Sequence, residues 1–260
     1  MYEDLRFEVD EHVGVLTLDR PEARNALRRQ TYRELEKVVR GLGDADVRCL
    51  VITGAEPAFC SGDDVKLLMV GPERPPEDWS DRVPHLTPAA DALLHTDVPV
   101  IAAVNGAAVG WGMELALMAD IRVASDRARF GELFVLRGLV SDAPGLGRLA
   151  QLVGRERAAE LLFTGDVIDA STAQQIGLVS RVVPHDELLA EATALAGRIA
   201  ANPPLAVQAL KRGLRETLDP DWNAVGAWVT SNLARLFQTA DHREGVAAFL
   251  EKRAPTFKGS

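Results

Sequence analysis

The chain has 260 residues, 47% of them hydrophobic and 26% charged, a balance typical of a globular protein with one large domain, or one domain and an appendage. The formal net charge of −9 excludes a global positive field that would attract nucleic acid or an anionic membrane, so a polyanionic ligand would need a local basic pocket. The two cysteines, Cys49 and Cys60, form no metal or redox motif, which predicts free thiols in a reducing compartment.

The first residues, MYEDLRFEVDEH, are acidic and contain no apolar core. They favour neither a secretory signal nor an Arg-rich transit peptide. Residues 98–119 form a long apolar stretch, but Pro99, Asn105 and Glu114 argue against a membrane-spanning helix there. We therefore expect a cytoplasmic protein with no membrane partner.

The hydrophobic pattern alternates between strands and helices as far as about residue 200. Strands are predicted at 5–9 and 13–18, paired through a turn near 10–12, and at 47–53, 98–104, 121–124 and 178–183. Helices are predicted at 25–39, from 65 onward, and at 88–95, 113–119, 146–163, 171–175 and 187–201. Small-residue loops are predicted at 59–64 and around the glycines at 106, 110 and 112, and a further loop from 125 through 145.

From residue 205 the pattern is helical, with Asp219–Pro220 as the one clear breaker. The fold class is therefore α/β, with a core over residues 1–200 and a helical C-terminal region over residues 201–260. Five prolines at positions 72, 75, 76, 84 and 88 predict a surface loop that could act as a lid. Trp79 within this stretch is a hypothetical lining residue of an acyl site.

The segment VPVIAAVNGAAVGWGMELALMADIRVAS, residues 98–125, is the most informative for chemistry. A buried strand leads into a glycine-rich loop and then into a helix whose first amides have no intrahelical partner. Those amides lie at the positive end of the helix dipole and can stabilise an oxyanion. Glu114, three residues after Trp111, would place a proton donor or acceptor beside them. The alternative is an ordinary strand, loop and helix with glycines for close packing.

Four segments now occur in a recognisable order: FCSGDDVK (59–66), AAVNGAAVGWGMELALMADIRVAS (102–125), FGELFVLRGLVSDAPG (130–145) and LLFTGDVIDASTAQQIGLVSRVVP (161–184). RPEARNAL (20–27) and EGVAAFLEKRAPTFKG (244–259) add to them. Over nearly the whole chain this combination resembles the crotonase family, also called the enoyl-CoA hydratase/isomerase superfamily. The resemblance implies a spiral of ββα units with two nearly perpendicular sheets. It also implies a helical C-terminal region that builds trimers, often stacked into hexamers.

The resemblance further implies an acyl-coenzyme A substrate of fatty-acid-type metabolism. Coenzyme A is then part of the substrate, and no metal or separate cofactor is expected. Two main-chain N–H groups would bind the thioester oxygen, those of Asp63 and Trp111, each following a glycine. The family usually has a small residue at position 111, so the Trp111 indole would reshape or crowd the acyl pocket.

Other positions that match family contacts belong to coenzyme A and to the acyl pocket. The coenzyme A positions are Cys60, Gly62, Asp64, Lys66, Phe249 and Lys252, and the pocket positions are Gly110 and Phe134. The plain alternative for the two lysines is a solvated surface charge, and for Phe249 it is core packing.

Family hydratases use two glutamates to hold and activate one water. The first matches Glu114, but the second falls on Phe134, which cannot exchange a proton. Glu132 lies two residues earlier and would share a face with Phe134 in an extended segment, yet a surface or subunit-contact role is favoured for it. Asp142 falls where several isomerases, including 1,2-epoxyphenylacetyl-CoA isomerases, have their catalytic aspartate.

Those isomerases contain the pattern FxxLGLxPDxGG, and here Ser141 replaces its proline. A turn-forming or helix-capping role is the alternative for Asp142. The favoured interpretation is double-bond migration, in which Asp142 moves a proton, Glu114 assists and the two amides stabilise the enolate.

Three rival functions stay open. Hydration would follow if Glu114 and Asp142 jointly held a water. Aryl-CoA hydrolysis, as in chlorobenzoyl-CoA dehalogenases, also uses an aspartate at position 142 but needs an upstream histidine, and neither His85 nor His95 falls at the matching offset. A non-catalytic acyl-CoA-binding protein would account for Trp111 and Phe134.

Overall fold

A computed structural model describes residues 2–73 and 86–260 of the chain. Most of the proline-rich stretch lies outside the described residues, as do Trp79 and His85, so the lid and lining hypotheses stay predictions. Both cysteines are free and buried, as predicted.

The strands are β1 (Leu5–Asp10), β2 (Val13–Leu18), β3 (Cys49–Gly54), β4 (Ala58–Cys60), β5 (Val100–Val104), β6 (Ala107–Val109), β7 (Ile121–Ser125), β8 (Arg129–Gly131), β9 (Ile168–Asp169) and β10 (Arg181–Val183). The α-helices are α1 (Arg29–Arg40), α2 (Val65–Leu68), α3 (Pro88–His95), α4 (Trp111–Met118), α5 (Ala143–Val153), α6 (Arg155–Thr164), α7 (Ala170–Gln175), α8 (Leu188–Ala200), α9 (Pro204–Leu218), α10 (Trp222–Leu236) and α11 (Ala240–Glu251). Short 3-10 helices lie at Pro21–Ala23, Val135–Arg137 and His185–Glu187.

Two sheets form the core of the fold. The larger has the strand order β1-β2-β3-β5-β7-β10, and the smaller has the order β4-β6-β8-β9. The pairs β1–β2 and β8–β9 are antiparallel, and every other neighbouring pair is parallel. The β1–β2 hairpin confirms the predicted pairing, and Glu11 and His12 make its turn with φ of 42° and 69°.

The chain repeats one unit three times. A strand of the larger sheet leads into a strand of the smaller sheet and then into a helix, as in β3-β4-α2, β5-β6-α4 and β7-β8-α5. This is the succession of ββα units that the resemblance implies, and it confirms the predicted fold class. Its consequence for function is that β4, β6 and β8 end side by side, each followed by a loop.

Both faces of the larger sheet are covered, so its central strands are continuously apolar rather than alternating. Val51, Ile101 and Val123 pack on one face against α8, whose Ala192 and Ala196 are fully buried. The opposite face, with residues such as Leu16, Leu50, Ile52 and Val100, belongs to the main core.

Several predicted boundaries are wrong for identifiable reasons. Helix α1 begins at Arg29 instead of Asn25, because Asn25 has a φ of 56° and its buried amide bonds the carbonyls of Ala55 and Ala58, each at 2.7 Å. The predicted helix over residues 146–163 is two helices, since Gly154 has a φ of 78° and separates α5 from α6.

Short strands account for the remaining differences. The predicted loops at 59–64 and around Gly106 contain β4 and β6, and the predicted loop from 125 through 145 contains β8. Each has only three residues, too few for a periodic pattern to be recognised. Within residues 201–260 the described elements are α9, α10 and α11. The helical pattern is therefore interrupted between Leu236 and Ala240 as well as at the predicted Asp219–Pro220, and residues 254–260 are not helical. No helix among the described residues is long and apolar enough to cross a membrane.

Candidate active site

The candidate site lies where three parallel strands of the smaller sheet end. β4 ends at Cys60 and leads to Asp63, β6 ends at Val109 and leads to Trp111, and β8 ends at Gly131 directly before Glu132. Neighbouring parallel strands end at the same edge of a sheet, so residues distant in sequence meet there.

Glycine makes the two loops after β4 and β6 approach closely. Gly62 and Gly110 have φ of 85° and 54°, which disfavour any other residue. A Cβ at Gly62 would lie 2.8 Å from the carbonyl oxygen of Val109 and 3.2 Å from the nitrogen of Trp111, so the backbones are in contact. A Cβ at Gly112 would lie 2.1 Å from the carbonyl oxygen of Cys60, which shows how tightly α4 packs against β4.

The N–H groups of Asp63 and Trp111 are available at this contact. Trp111 is the first residue of α4, so its N–H has no intrahelical acceptor. Leu27 and Asp63 form an isolated parallel β-bridge, in which the Leu27 N–H donates to the Gly62 carbonyl and the Asp64 N–H donates to the Leu27 carbonyl. The N–H of Asp63 takes no part in this bridge. The structure thus brings together the two amides that the sequence predicted for an anion hole.

The side chain of Trp111 is buried between two elements. Its ring contacts Tyr32 of α1 edge to face, with 4.7 Å between the centroids. Its Nε1–H donates to Oδ2 of Asp142 at 3.1 Å. One residue therefore carries both an amide of the predicted anion hole and a hydrogen bond to the predicted catalytic aspartate.

Asp142 caps helix α5 and is also held by the indole. Its Oδ1 accepts from the N–H of Ala143 at 2.8 Å, so the capping role considered as an alternative exists together with the Trp111 contact. Burial raises the pKa of Asp142, while the hydrogen bonds from Ala143 and Trp111 oppose that rise.

Glu114 lies on α4 and is fully buried with three hydrogen-bond donors. Its Oε1 accepts from Ser141 Oγ at 2.7 Å and from the N–H of Asp142 at 2.9 Å, and its Oε2 accepts from the N–H of Gly145 at 2.6 Å. Burial raises the pKa of Glu114 to about 8, and the charge of Asp142 acts in the same direction. The two predicted catalytic acids are therefore neighbours in the fold.

Glu132 is not the surface or subunit-contact residue that the sequence favoured. It is 1% exposed, and its Oε2 lies 3.3 Å from Ser141 Oγ. Its Oε1 has no hydrogen-bond partner among the described residues. Burial raises its pKa well above the usual range, with the charges of Glu114 and Asp142 adding to the effect. The prediction of an exposed Glu132 failed because a strand pattern indicates which face of the strand a side chain occupies, but not which other elements pack against that face.

The carboxyl group of Asp63 also belongs to this region. Tyr32 donates its hydroxyl to Asp63 Oδ1 at 2.5 Å. Burial raises the pKa of Asp63 to about 6, although the Tyr32 hydrogen bond favours the ionised form. Sequence reasoning missed Tyr32, because it lies on α1, outside every motif quoted above.

A cavity of about 490 Å³ opens beside the anion hole. Most of the predicted binding residues line it, namely Gly62, Asp63, Asp64, Lys66, Gly110, Trp111, Phe134 and Phe249. Phe249 is 51% exposed and stacks on the guanidinium of Arg137 at 4.3 Å, so core packing is excluded for it. Arg24 and Arg137 also line the cavity and, with Lys66, give it three cationic side chains that could contact a phosphorylated ligand. Three acidic side chains line it as well, those of Glu22, Asp63 and Asp64.

Some predicted residues lie outside this cavity. Cys60 is fully buried in β4, and Lys252 is exposed after the end of α11; neither belongs to the described lining. Asp142 and Glu114 are also absent from that lining, whereas Trp111, whose indole donates to Asp142, belongs to it. His95 is an exposed residue of α3 paired with Asp91 and does not supply a base here.

Comparison with known proteins identifies the family and supports the fold. The family model for enoyl-CoA hydratase/isomerase matches residues 8–260. The chain is 39% identical to the 2,3-dehydroadipyl-CoA hydratase of Escherichia coli, over 96% of each chain. It is 36% identical to the probable enoyl-CoA hydratase echA8 of Mycobacterium bovis, over 98% of each. The structure of an enoyl-CoA hydratase/isomerase from Pseudoalteromonas atlantica superimposes with a TM-score of 0.88 at 32% identity, covering 98% of this chain and 100% of that one.

Proposed function

The chain belongs to the enoyl-CoA hydratase/isomerase family, and within it we propose that this protein shifts a carbon–carbon double bond of an acyl-CoA thioester. The observation that supports this proposal is the hydrogen bond between the Trp111 indole and Asp142. Through this bond the Trp111 side chain holds the Asp142 carboxylate, and the main-chain N–H of the same Trp111 is one of the two amides that would bind the thioester oxygen.

In the proposed reaction the N–H groups of Asp63 and Trp111 bind the oxygen of the thioester. Loss of a C2 proton from a β,γ-unsaturated substrate gives an enolate, and each amide can contribute about 3–4 kcal/mol to its stabilisation. Asp142 accepts that proton, and return of a proton at C4 completes the migration, with Glu114 assisting as the second acid or base. These steps require no metal and no redox cofactor.

Access to Asp142 from this cavity would require a movement of Trp111, because Trp111 lines the cavity and its hydrogen-bond partner Asp142 does not. We propose that the bound acyl group turns the indole away from Asp142. Phe134 then forms an apolar wall of the pocket. A dry wall disfavours addition of water and keeps the pKa of the nearby acids high.

The coenzyme A portion is proposed to lie along Lys66, Asp64 and Phe249, with Arg24 as an additional contact to phosphate. Lysine and arginine are suited to phosphate recognition, whereas the adenine can use main-chain groups around Gly62. Cys60 could contribute through its main chain alone, since its side chain is buried.

The test is conversion of 3-enoyl-CoA esters to the conjugated 2-enoyl esters, followed by ultraviolet absorbance. Asp142→Asn should lower turnover by about 10²–10⁴-fold, the usual contribution of a positioned acid or base, while coenzyme A affinity stays within a few-fold. Asp219→Asn, which also removes a carboxylate that accepts from an indole, is the control. Unchanged turnover in the Asp142 variant would refute the assignment.

Hydration is the second candidate, and one observation favours it. Glu132 is buried beside Glu114, so two glutamates are present as in family hydratases. Ser141 Oγ, however, lies 2.7 Å from Glu114 Oε1 and 3.3 Å from Glu132 Oε2. It therefore lies where a water held by both glutamates would have to be. Crotonyl-CoA hydration faster than 3-enoyl-CoA isomerisation by the wild-type protein would select this alternative.

A homotrimer or homohexamer is the proposed assembly. Leu210, Leu214 and Leu218 follow one another at four-residue intervals on α9 and are 71%, 59% and 63% exposed in the single chain. Leu214→Glu should shift the mass measured by light scattering towards the monomer, whereas Leu189→Glu at another exposed leucine should not. A monomeric wild-type protein would contradict this assembly.

A further inference from the structure

The buried glutamate after β8 has no part in the proposed reaction, although it lies beside the residues that do. A Cβ at Gly145 would lie 2.0 Å from Ser141 Oγ, 2.7 Å from Glu114 Oε1 and 3.1 Å from Glu132 Oε1. Both glutamates and the serine hydroxyl therefore converge on one point of the backbone. Two carboxylates in such a dry place cannot both be charged at modest cost, so the pair holds a proton at neutral pH.

The donors around the pair show where that proton can reside. Glu114 accepts three hydrogen bonds, which favour its ionised form. Glu132 has only the long contact to Ser141, and its Oε1 is unpartnered within the described part of the chain. A hydroxyl has one hydrogen to donate and can accept one, so Ser141 can link the two carboxyl groups in either direction.

From this geometry we propose that Glu132 is a positioning residue that shares one proton with Glu114 through the hydroxyl of Ser141. In one state Glu132 is neutral and donates from Oε2 to Ser141 Oγ, and the serine donates to Glu114 Oε1. In the other state the Ser141 proton has moved to Glu114 Oε1 and the Glu132 proton has moved to Ser141 Oγ. Glu114 is then the acid and Glu132 the carboxylate, and no proton is gained or lost.

This relay rests on the proposed function, because it explains how Glu114 can both give and take a proton while fully buried. The charges that act on Glu132 are those of Glu114 from α4 and Asp142 before α5, and both favour a protonated Glu132. Glu132 also lines a second cavity of about 670 Å³, whose other charged groups are Arg235, Asp241 and the C-terminal Ser260.

Infrared spectroscopy tests the shared proton without any substrate. The wild-type protein at neutral pH should show the carbonyl stretch of a buried protonated carboxylic acid. Glu132→Gln should shift or weaken that stretch, because the proton can then reside only on Glu114, whose burial and neighbour Asp142 are unchanged. Ser141→Ala should keep the band, since both acids remain. Glu34→Gln, at a buried acid that lines neither cavity, should also keep it.

Kinetics provide the second readout. Glu132→Gln should move the alkaline limb of the pH–rate profile to lower pH, because removal of a like charge lowers the pKa of Glu114. Ser141→Ala should reduce kcat by about 10-fold or more, part of the usual acid–base contribution. It should also move the alkaline limb to higher pH, because it removes a hydrogen bond that stabilises the carboxylate of Glu114. The two variants should therefore shift the alkaline limb in opposite directions, and a serine with no part in the proton transfer would not reduce kcat.

The proposal is overturned if the wild-type protein lacks the band at neutral pH, or if the band of Glu132→Gln has the same frequency and intensity as that of wild type. An alkaline limb that is the same in Glu132→Gln and wild type also overturns it. If Glu132→Gln does not fold, the proposal still requires both the band in the wild-type protein at neutral pH and a reduced kcat in Ser141→Ala, and the absence of either one overturns it. Because the band needs no turnover, a protein that shows it but has no isomerase activity refutes only the proposed reaction.

Discussion

The hydrogen bond from the Trp111 indole to Asp142 gives the most quantitative prediction. Trp111→Phe keeps an aromatic ring but removes the N–H that lies 3.1 Å from Asp142 Oδ2. That donor stabilises the carboxylate, so its loss must raise the pKa of Asp142. A hydrogen bond to a charged group contributes about 1.5–3 kcal/mol, and about 1.4 kcal/mol corresponds to one pKa unit, so the rise should be about 1 to 2.

The sign of the pH effect follows from the role of Asp142 as a base. Below its pKa the carboxylate is protonated and isomerisation is lost, so the acid limb of kcat/KM in Trp111→Phe should lie about 1 to 2 pH units higher than in wild type. At a pH below the pKa of Asp142 in both proteins, kcat/KM of Trp111→Phe should be about 10- to 100-fold lower than kcat/KM of wild type. The limb of kcat/KM is the one to measure, because it reports the free enzyme, in which the hydrogen bond is present.

The chain offers a matched control for this change. Trp222 is also buried and donates its Nε1–H to Asp219 Oδ2 at 3.1 Å. Trp222→Phe removes an equivalent hydrogen bond away from the anion hole and should leave the acid limb unchanged. If the limb of Trp111→Phe coincides with that of the control, Asp142 is not the base that titrates there.

Two further changes test the pocket and the acid cluster. Phe134→Glu should increase hydration of crotonyl-CoA by restoring a second acid, whereas Phe134→Gln should not; no gain in a correctly folded Phe134→Glu protein would mean that pocket shape limits hydration. Gly145→Ala should lower the unfolding free energy by about 1–3 kcal/mol, because its Cβ would lie 2.0 Å from Ser141 Oγ, and a melting temperature equal to wild type would contradict that crowding. Gly197→Ala, which meets nothing within 4 Å on α8, is the control for the glycine change.

The family resemblance, rather than a local pattern, indicated the two amides of the candidate anion hole. It implied the residue after Gly62 and the residue after Gly110, and both glycines have positive φ. The ends of the parallel strands β4 and β6 bring Asp63 and Trp111 together, but the sequence pattern predicted loops at both strands. The ββα succession is likewise a consequence of chain order, so it could be expected from the family resemblance.

Tertiary contacts determined the parts that the sequence did not show. Asn25 lies in a helical pattern, yet its side-chain amide donates to the carbonyls of Ala55 and Ala58. Helix α1 therefore begins later, at Arg29. Cys60 lies within a binding motif, yet its side chain points into the core. Tyr32 contacts Asp63 across elements separated by about thirty residues, which no local pattern encodes.

The departures from the isomerase pattern are physically connected rather than independent. A proline at position 141 would have no hydroxyl, and Glu114 would lose the donor that lies 2.7 Å away. Glu132 would then lose its contact with the Ser141 hydroxyl at Oε2, and its Oε1 already has no hydrogen-bond partner among the described residues. Burial of a carboxyl group with neither oxygen hydrogen-bonded costs free energy. Ser141 is therefore what makes a buried Glu132 acceptable. The same loop continues into Asp142, whose Oδ2 accepts from the Trp111 indole, so the unusual serine and the unusual tryptophan each hold an acid of one cluster. An exchange of Ser141 should change the pKa of Glu114 and an exchange of Trp111 that of Asp142, and the charge of Asp142 acts on both glutamates.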